Sequence, residues 1–226
     1  RLLPIEGPYG LGLKAIPLPD EEVASGVFVS QTLPLAFLVE EFEIPLRDLA
    51  AYERDGLAFN ARPVAQAAMA CARREDELLF YGAAGMSGLL TAPGVQKVQL
   101  SDWSAVGTAM DDLIRAVTTL DEAGFHGPYA LGLAPARYNL LFRRYPQGPM
   151  TEMEHIQTLV TGGLVKVPVL KDGGVLLAVG QQYASILLGQ DMTIGFIGPD
   201  EEKLEFSVSE SLALYLRVPA SVCVLE

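Results

Sequence analysis

Residues 60–82 read NARPVAQAAMACARREDELLFYG, which describes one long helix. Asn60 offers a side-chain acceptor to the first free N–H groups, Pro63 stands in the first turn where a missing N–H costs little, and Gly82 stops the run. Alanines at 65, 67, 68, 70 and 72 keep the middle slim, so other elements can approach it closely. Its end, Arg73-Arg74-Glu75-Asp76-Glu77, reads as an exposed stretch laced by ion pairs. A slim helix of this length in a chain otherwise rich in strands gives an α+β class.

Upstream, Leu35 to Leu46 alternates as a strand, and Lys14 to Val29 reads as the two arms of a long hairpin around the polar Asp20-Glu21-Glu22. That hairpin has no partner strand nearby in sequence. A lone hairpin is marginal in water, so something must pack on it, and another subunit is one candidate. Downstream, Ser101 opens a second helix with Asp102 in its first turn. It runs to Gly124 with Val106, Met110, Leu113, Ile114, Val117 and Leu120 on one face. A short strand at 128–133, a short helix at 135–145, a loop from Arg143 to Met150 and a helix at 151–161 follow. From Leu164 the chain is nearly all strand: 164–170, 175–180, 184–188, 189–197, 204–218 and 222–225. There is neither an internal repeat nor a low-complexity linker.

Half of the 226 residues are apolar and mean hydropathy is positive, which is more than a monomer of this size needs to bury. Surplus of that kind usually ends in a subunit interface. No run approaches the roughly 18 apolar residues of a membrane span, so no membrane partner is expected. Sixteen basic against 28 acidic residues leave a formal charge of −12. That balance repels phosphate backbones, and no basic stripe offsets it, so nucleic acid is not an expected partner. Cys71 and Cys223 form no metal or redox spacing and read as buried thiols in a reducing cytoplasm. The chain opens at Arg1 without an initiator Met, so a preceding N-terminal piece is expected.

No set of residues makes a convincing active site. Glu152-x-x-His155 has the spacing of half a carboxylate-bridged di-iron site, but the other histidine, His126, follows Phe125 and supplies no second half. The pair reads as a solvated helix face, and no metal is expected. The glycine-rich runs 7–12 and 82–88 lack the Lys-Ser/Thr of a phosphate loop and read as tight turns. No serine stands in a nucleophile elbow, so no catalytic residue is assigned.

Several segments, in order, are together similar to the encapsulin family, formerly also labelled linocin-type bacteriocins. They are Ile5-Glu6-Gly7-Pro8-Tyr9-Gly10, Leu33-Pro34-Leu35, Glu75 to Phe80 closing with Gly82, Gly127-Pro128-Tyr129, Gly162-Gly163, Leu188 to Gly195, and Ser209-Glu210-Ser211. The resemblance runs from Arg1 to the β-rich end. Encapsulins in turn resemble the major capsid proteins of tailed phages, the Hong Kong 97 type.

The resemblance implies a phage major-capsid-like fold with a peripheral domain, an axial domain and an extended loop. The peripheral domain would cover 1–13 and 35–99 with the spine helix, the extended loop 14–34, the axial domain 100–189, and 190–226 would return to the peripheral domain. It implies a self-assembling icosahedral shell subunit, not an enzyme, in the cytoplasm. The shell would enclose cargo such as a ferritin-like iron-storage protein or a peroxidase, captured through a C-terminal targeting peptide. The matching cargo-binding positions are Leu3, Asp191, Met192, Ile194 and Ser209, and a pore at the vertex would be lined by Arg143, Arg144, Tyr145 and Gln147. Relatives carry an N-terminal helix ahead of the strand at Arg1. Some hold a flavin on a tryptophan at a place matching about Arg47, whereas the tryptophan here is Trp103, so no cofactor is expected. A phage major capsid subunit and, further off, a hydrolase are the rival readings.

Overall fold

A computed structural model describes residues 2–146 and 148–226. In chain order the elements begin with β1 (Ile5–Glu6), β2 (Ala15–Ala24), β3 (Val27–Pro34), β4 (Ala36–Pro45), α1 (Leu46–Asp55) and α2 (Arg62–Tyr81). Next come β5 (Gly82–Ala83), β6 (Met86–Ser87), β7 (Gln96–Val98), α3 (Thr108–Glu122), β8 (Tyr129–Leu133), α4 (Pro135–Leu140) and α5 (Glu152–Leu159). The rest is strand: β9 (Gly163–Lys166), β10 (Gly174–Ala178), β11 (Ala184–Asp200), β12 (Lys203–Leu216) and β13 (Val222–Leu225). The chain divides into two compact units. One holds the N-terminal residues through Ile5 with Leu78–Ile186 and Leu214–Glu226, and the other Glu6–Glu77 with Leu187–Ala213.

The first unit is built on a mixed sheet ordered β7-β13-β10-β8-β9. The outer pairs β7–β13 and β8–β9 are parallel, and β10 runs antiparallel to both β13 and β8. Every residue of β8, β10 and β13 is buried, so these strands are near-continuous apolar runs without a polar face. Leu113, Ala116 and Leu120 of α3 and Met153 and Ile156 of α5 share one core with Leu131, Leu176, Cys223 and Leu225. At Gly132 of β8 the space a side chain would fill is taken by Leu2 and Val167.

The sequence put the start of α3 at Ser101, and the structure starts it at Thr108. Gly107 has φ +105°, a left-handed conformation that an L side chain resists and that breaks any helix begun earlier. Residues 101–107 instead wrap a buried carboxylate. Asp112 accepts hydrogen bonds from Ser101 N–H (2.6 Å), Ser101 Oγ–H (2.9 Å) and Trp103 Nε1–H (2.9 Å), and pairs with Arg115. Burial pushes its carboxyl up, but the bonds from Trp103, Arg115 and Ser101 outweigh that and hold it below its ordinary value. The inward face of α3 is therefore Ala109, Asp112, Leu113, Ala116, Val117 and Leu120, while Ile114, placed inward by periodicity, is exposed.

In the second unit α2 packs on sheet strands through Ala67 and Cys71, against Phe42 and Val208 with Leu38, Val64, Met192 and Phe206 around them. Each fully buried apolar side chain there contributes about 1.5–3 kcal/mol. The helix opens with Arg62 N–H donating to Asn60 Oδ1 (3.2 Å), and Arg73 pairs with Glu77 one turn on. Strands β4 and β12 are antiparallel over Ala36–Pro45, with Phe42 opposite Phe206 and Val39 opposite Ser209. The helix α1 has no buried residue, and the sequence reading gave it no place.

Residues 78–99 and the final strand fall in the first unit, because β7 and β13 complete its sheet. The division after Ile186 falls inside β11, which runs unbroken from Ala184 to Asp200 where the sequence reading placed two strands, 184–188 and 189–197.

Candidate assembly and cargo surfaces

The hairpin β2–β3 forms a two-stranded sheet of its own. Its register is Ala15↔Pro34 to Leu18↔Gln31, then shifts at Pro19-Asp20, where proline cannot donate to the ladder. The turn is Ser25-Gly26, with Gly26 at φ +75° and its N–H donating to Glu22 Oε1, so the acidic 20–22 run lies within β2 and not at the tip as expected. Val23, Val27, Phe28 and Val29 are all exposed, Phe28 at 62%. Two strands alone bury too little to hold such side chains out in water, so this is an apolar surface that the described residues leave uncovered.

A second feature is the loop between α4 and α5. Tyr145 N–H donates to Met150 O (3.1 Å), Glu152 N–H to Arg143 O (3.0 Å) and Met153 N–H to Leu141 O (2.8 Å), which ties residues 141–145 to 150–153 at the base of the loop. Thr151 caps α5 through a full capping box with Glu154. Arg144 is exposed, Tyr145 lies against the His155 ring (4.7 Å between centroids), and Gln147 lies outside the described residues. Arg143, expected beside Arg144 on an open rim, is only 27% exposed and pairs with Glu152. Glu152 is fully buried, which corrects its reading as part of a solvated helix face.

The expected cargo positions divide. Leu3 is buried within the first unit. In the second, Val208 shares the α2-side cluster with Met192, and its neighbour Ser209 therefore points to the opposite face, as successive strand residues do. Ser209 Oγ there accepts from Gln190 Nε2 (3.4 Å), and Asp191, exposed, accepts from Met192 N–H (2.8 Å). Met192 is half-buried, Ile194 is 60% exposed, and two residues on Phe196 continues the row, 5.2 Å from Phe206, which stacks on Phe42 at 5.4 Å. The apolar row is thus Met192, Ile194 and Phe196. Phe196 was missed, although the period-2 alternation from 192 pointed to it.

Among the described residues no group of three His, Cys, Asp or Glu side chains could hold a metal ion. His126 sits beside Asp121 (3.2 Å) at the surface, and both thiols are buried. Trp103 is a fully buried core residue with the Arg137 guanidinium 5.0 Å above its ring. No described helix is long and apolar enough to cross a membrane.

Residues 1–213 match the Linocin M18 family, described as an encapsulating protein for peroxidase. The chain belongs to the encapsulin family. It is 31% identical over 246 residues to the type 1 encapsulin shell protein EncA of Myxococcus xanthus, covering 100% of this chain and 85% of that one. Solved structures share the fold. A virus-like particle from Pyrococcus furiosus superposes with a TM-score of 0.81 at 23% identity, covering 100% of this chain and 90% of that one. The capsid of the Myoviridae phage XM1 superposes at 0.74 with 12% identity, covering 99% and 88%. The chain thus has the capsid-type α+β fold, and its relatives are structural shell proteins.

Proposed function

We propose that this encapsulin chain is the subunit of a closed icosahedral cage in the cytoplasm, that it assembles with copies of itself around an enzyme cargo, and that it carries out no catalysis. The observation that carries this reading is the hairpin β2–β3, an exposed apolar surface that pairs with no further strand among the described residues. A neighbouring copy laid under it would bury Val27, Phe28 and Val29, and the surplus of apolar residues in the chain supports interfaces of that kind. Cargo is held by a targeting peptide on the row Met192, Ile194 and Phe196, where an extended segment with small apolar side chains would bury against exposed apolar surface. Asp191, on the other side of the strand, has at most a selecting role toward a basic residue, because an exposed ion pair contributes only about 0–1 kcal/mol. Copies meeting at a vertex bring their Arg144–Tyr145 loops together around an opening.

Electron microscopy and light scattering of the purified protein test the proposal. Closed spherical particles holding protein are the expected result, while small oligomers, or particles filled with nucleic acid, overturn it.

A further inference from the structure

The loop between α4 and α5 carries two adjacent arginines, and the fold treats them in opposite ways. Arg143 turns inward. Its Nε–H donates to Leu140 O (3.0 Å), one terminal nitrogen to Ser104 O (2.8 Å) and the other to Glu152 Oε2 (3.1 Å). Arg144 is exposed, and its charge is one of the influences holding the Glu154 carboxyl below its usual range, behind the hydrogen bonds from Thr151.

Glu152 stands where three elements meet. Its Oε1 accepts the N–H of Gly107 (2.7 Å), the residue that caps the start of α3, so the carboxylate lies at the positive end of a 15-residue helix. Its Oε2 takes Arg143 from the loop, and its own backbone N–H closes the base of that loop on Arg143 O. The Tyr145 ring lies within van der Waals reach of Gly107 (3.8 Å from where a Cβ would be), so the loop's aromatic rests on the same helix start. A carboxylate with no exposure, bonded through both oxygens, is costly to disturb, because either loss leaves a buried charge or donor unmatched.

We infer that Glu152 is the positioning residue that presets the 143–151 loop, and that by taking Arg143 as its counter-ion it leaves Arg144 as the specificity-determining cation toward small ions passing the vertex. The second half rests on the proposed opening at the vertex, and the first does not. In the closed particle each Arg144 contributes one solvated positive charge to a ring, which favours anions and slows cations in a salt-dependent way. Arg143 adds almost nothing to that ring, since its charge is matched at its source.

Two measurements on assembled shells separate the halves. In hydrogen exchange of peptides spanning 141–152, Glu152→Gln is expected to speed exchange at least about tenfold, the scale of one lost buried charge-assisted bond, with Arg144→Gln matching the parent. Parent-like exchange in Glu152→Gln overturns the positioning role. For the second half, a fluorophore trapped by reassembly is quenched by iodide or by Co2+ in stopped flow at low salt. Arg144→Glu should raise the Co2+ to iodide rate ratio several-fold, and Arg143→Gln should leave it within about twofold. An Arg143→Gln shift as large as that of Arg144→Glu overturns the assignment to Arg144. Two silent variants overturn the vertex opening itself while leaving the positioning role of Glu152 to the exchange result.

Discussion

Replacing Asp112 by Ala removes the acceptor around which residues 101–107 are wound. Ser101 is exposed and can turn to water, but Trp103 is fully buried and its indole N–H has no other acceptor in its hydrogen-bond pattern. The cost is therefore one stranded buried donor, at about 1–3 kcal/mol, plus the net worth of the lost bonds to Ser101 and Arg115, giving about 3 kcal/mol. For a chain of this length 1 kcal/mol moves Tm by about 2 °C, so the expected fall is about 6 °C. Trp103 is the only tryptophan in the chain, so its fluorescence reports this site alone. Asp112→Asn keeps an acceptor for the indole and should lose about a third as much. The folded-state value of Asp112 lies below that of the unfolded chain, so its contribution is whole at neutral pH and is lost as pH falls through the folded value. The Tm gap between parent and Asp112→Ala should then narrow in acid. A melt within 2 °C of the parent at pH 7 for Asp112→Ala, with unchanged emission, would refute the reasoning.

Deleting Pro17 to Ser30 should leave small oligomers or aggregates in size-exclusion chromatography, and normal closed particles would show that the hairpin is no clamp. Shells carrying Ile194→Lys should assemble yet lose most of a co-expressed reporter bearing a targeting tail, and full loading would place cargo elsewhere. Burial pushes Cys223 up to about 12 and Cys71 upward as well, so neither should be thiolate at neutral pH. A disulfide-exchange reagent should find essentially no reactive thiol in native shells and both after denaturation. Rapid labelling of Cys71 would contradict its packing between α2 and the strands, and of Cys223 its place in the core of the first unit.

The parts of the fold that were legible in sequence are those whose cause is local. The α2 helix carries its own start at Asn60, its own stop at Gly82 and an alanine run between, and the hairpin shows in β-prone arms. What was hidden depends on partners distant in sequence. Helix α1 was missed although Leu46, Leu49 and Ala50 stand at helical spacing, because the strand alternation that precedes it was read on through Leu46 and none of its residues is fully buried. Nothing near Glu152 announces burial, because what neutralises it arrives from Gly107 and Arg143. The start of α3 was misplaced because the composition of 101–106 suits a helix, while the left-handed turn at Gly107 and the claim of Asp112 on Ser101 and Trp103 bend it away. On β11 alternation set Met192 and Ile194 on one face, but which face α2 covers is a matter of packing.

The order in which the first sheet can be completed has a consequence in time. β13 lies between β7 and β10 and supplies hydrogen-bond partners to both, yet it is made after every strand it joins. While the ribosome is still adding the residues before Val222, β7 has no neighbour and β10 has an open edge, so the unit waits as an incomplete sheet. Such long-range closure is slow compared with local helix formation. The first sheet is therefore complete only once β13 has emerged, and the interval before that is the one in which its open strand edges most need protection from aggregation.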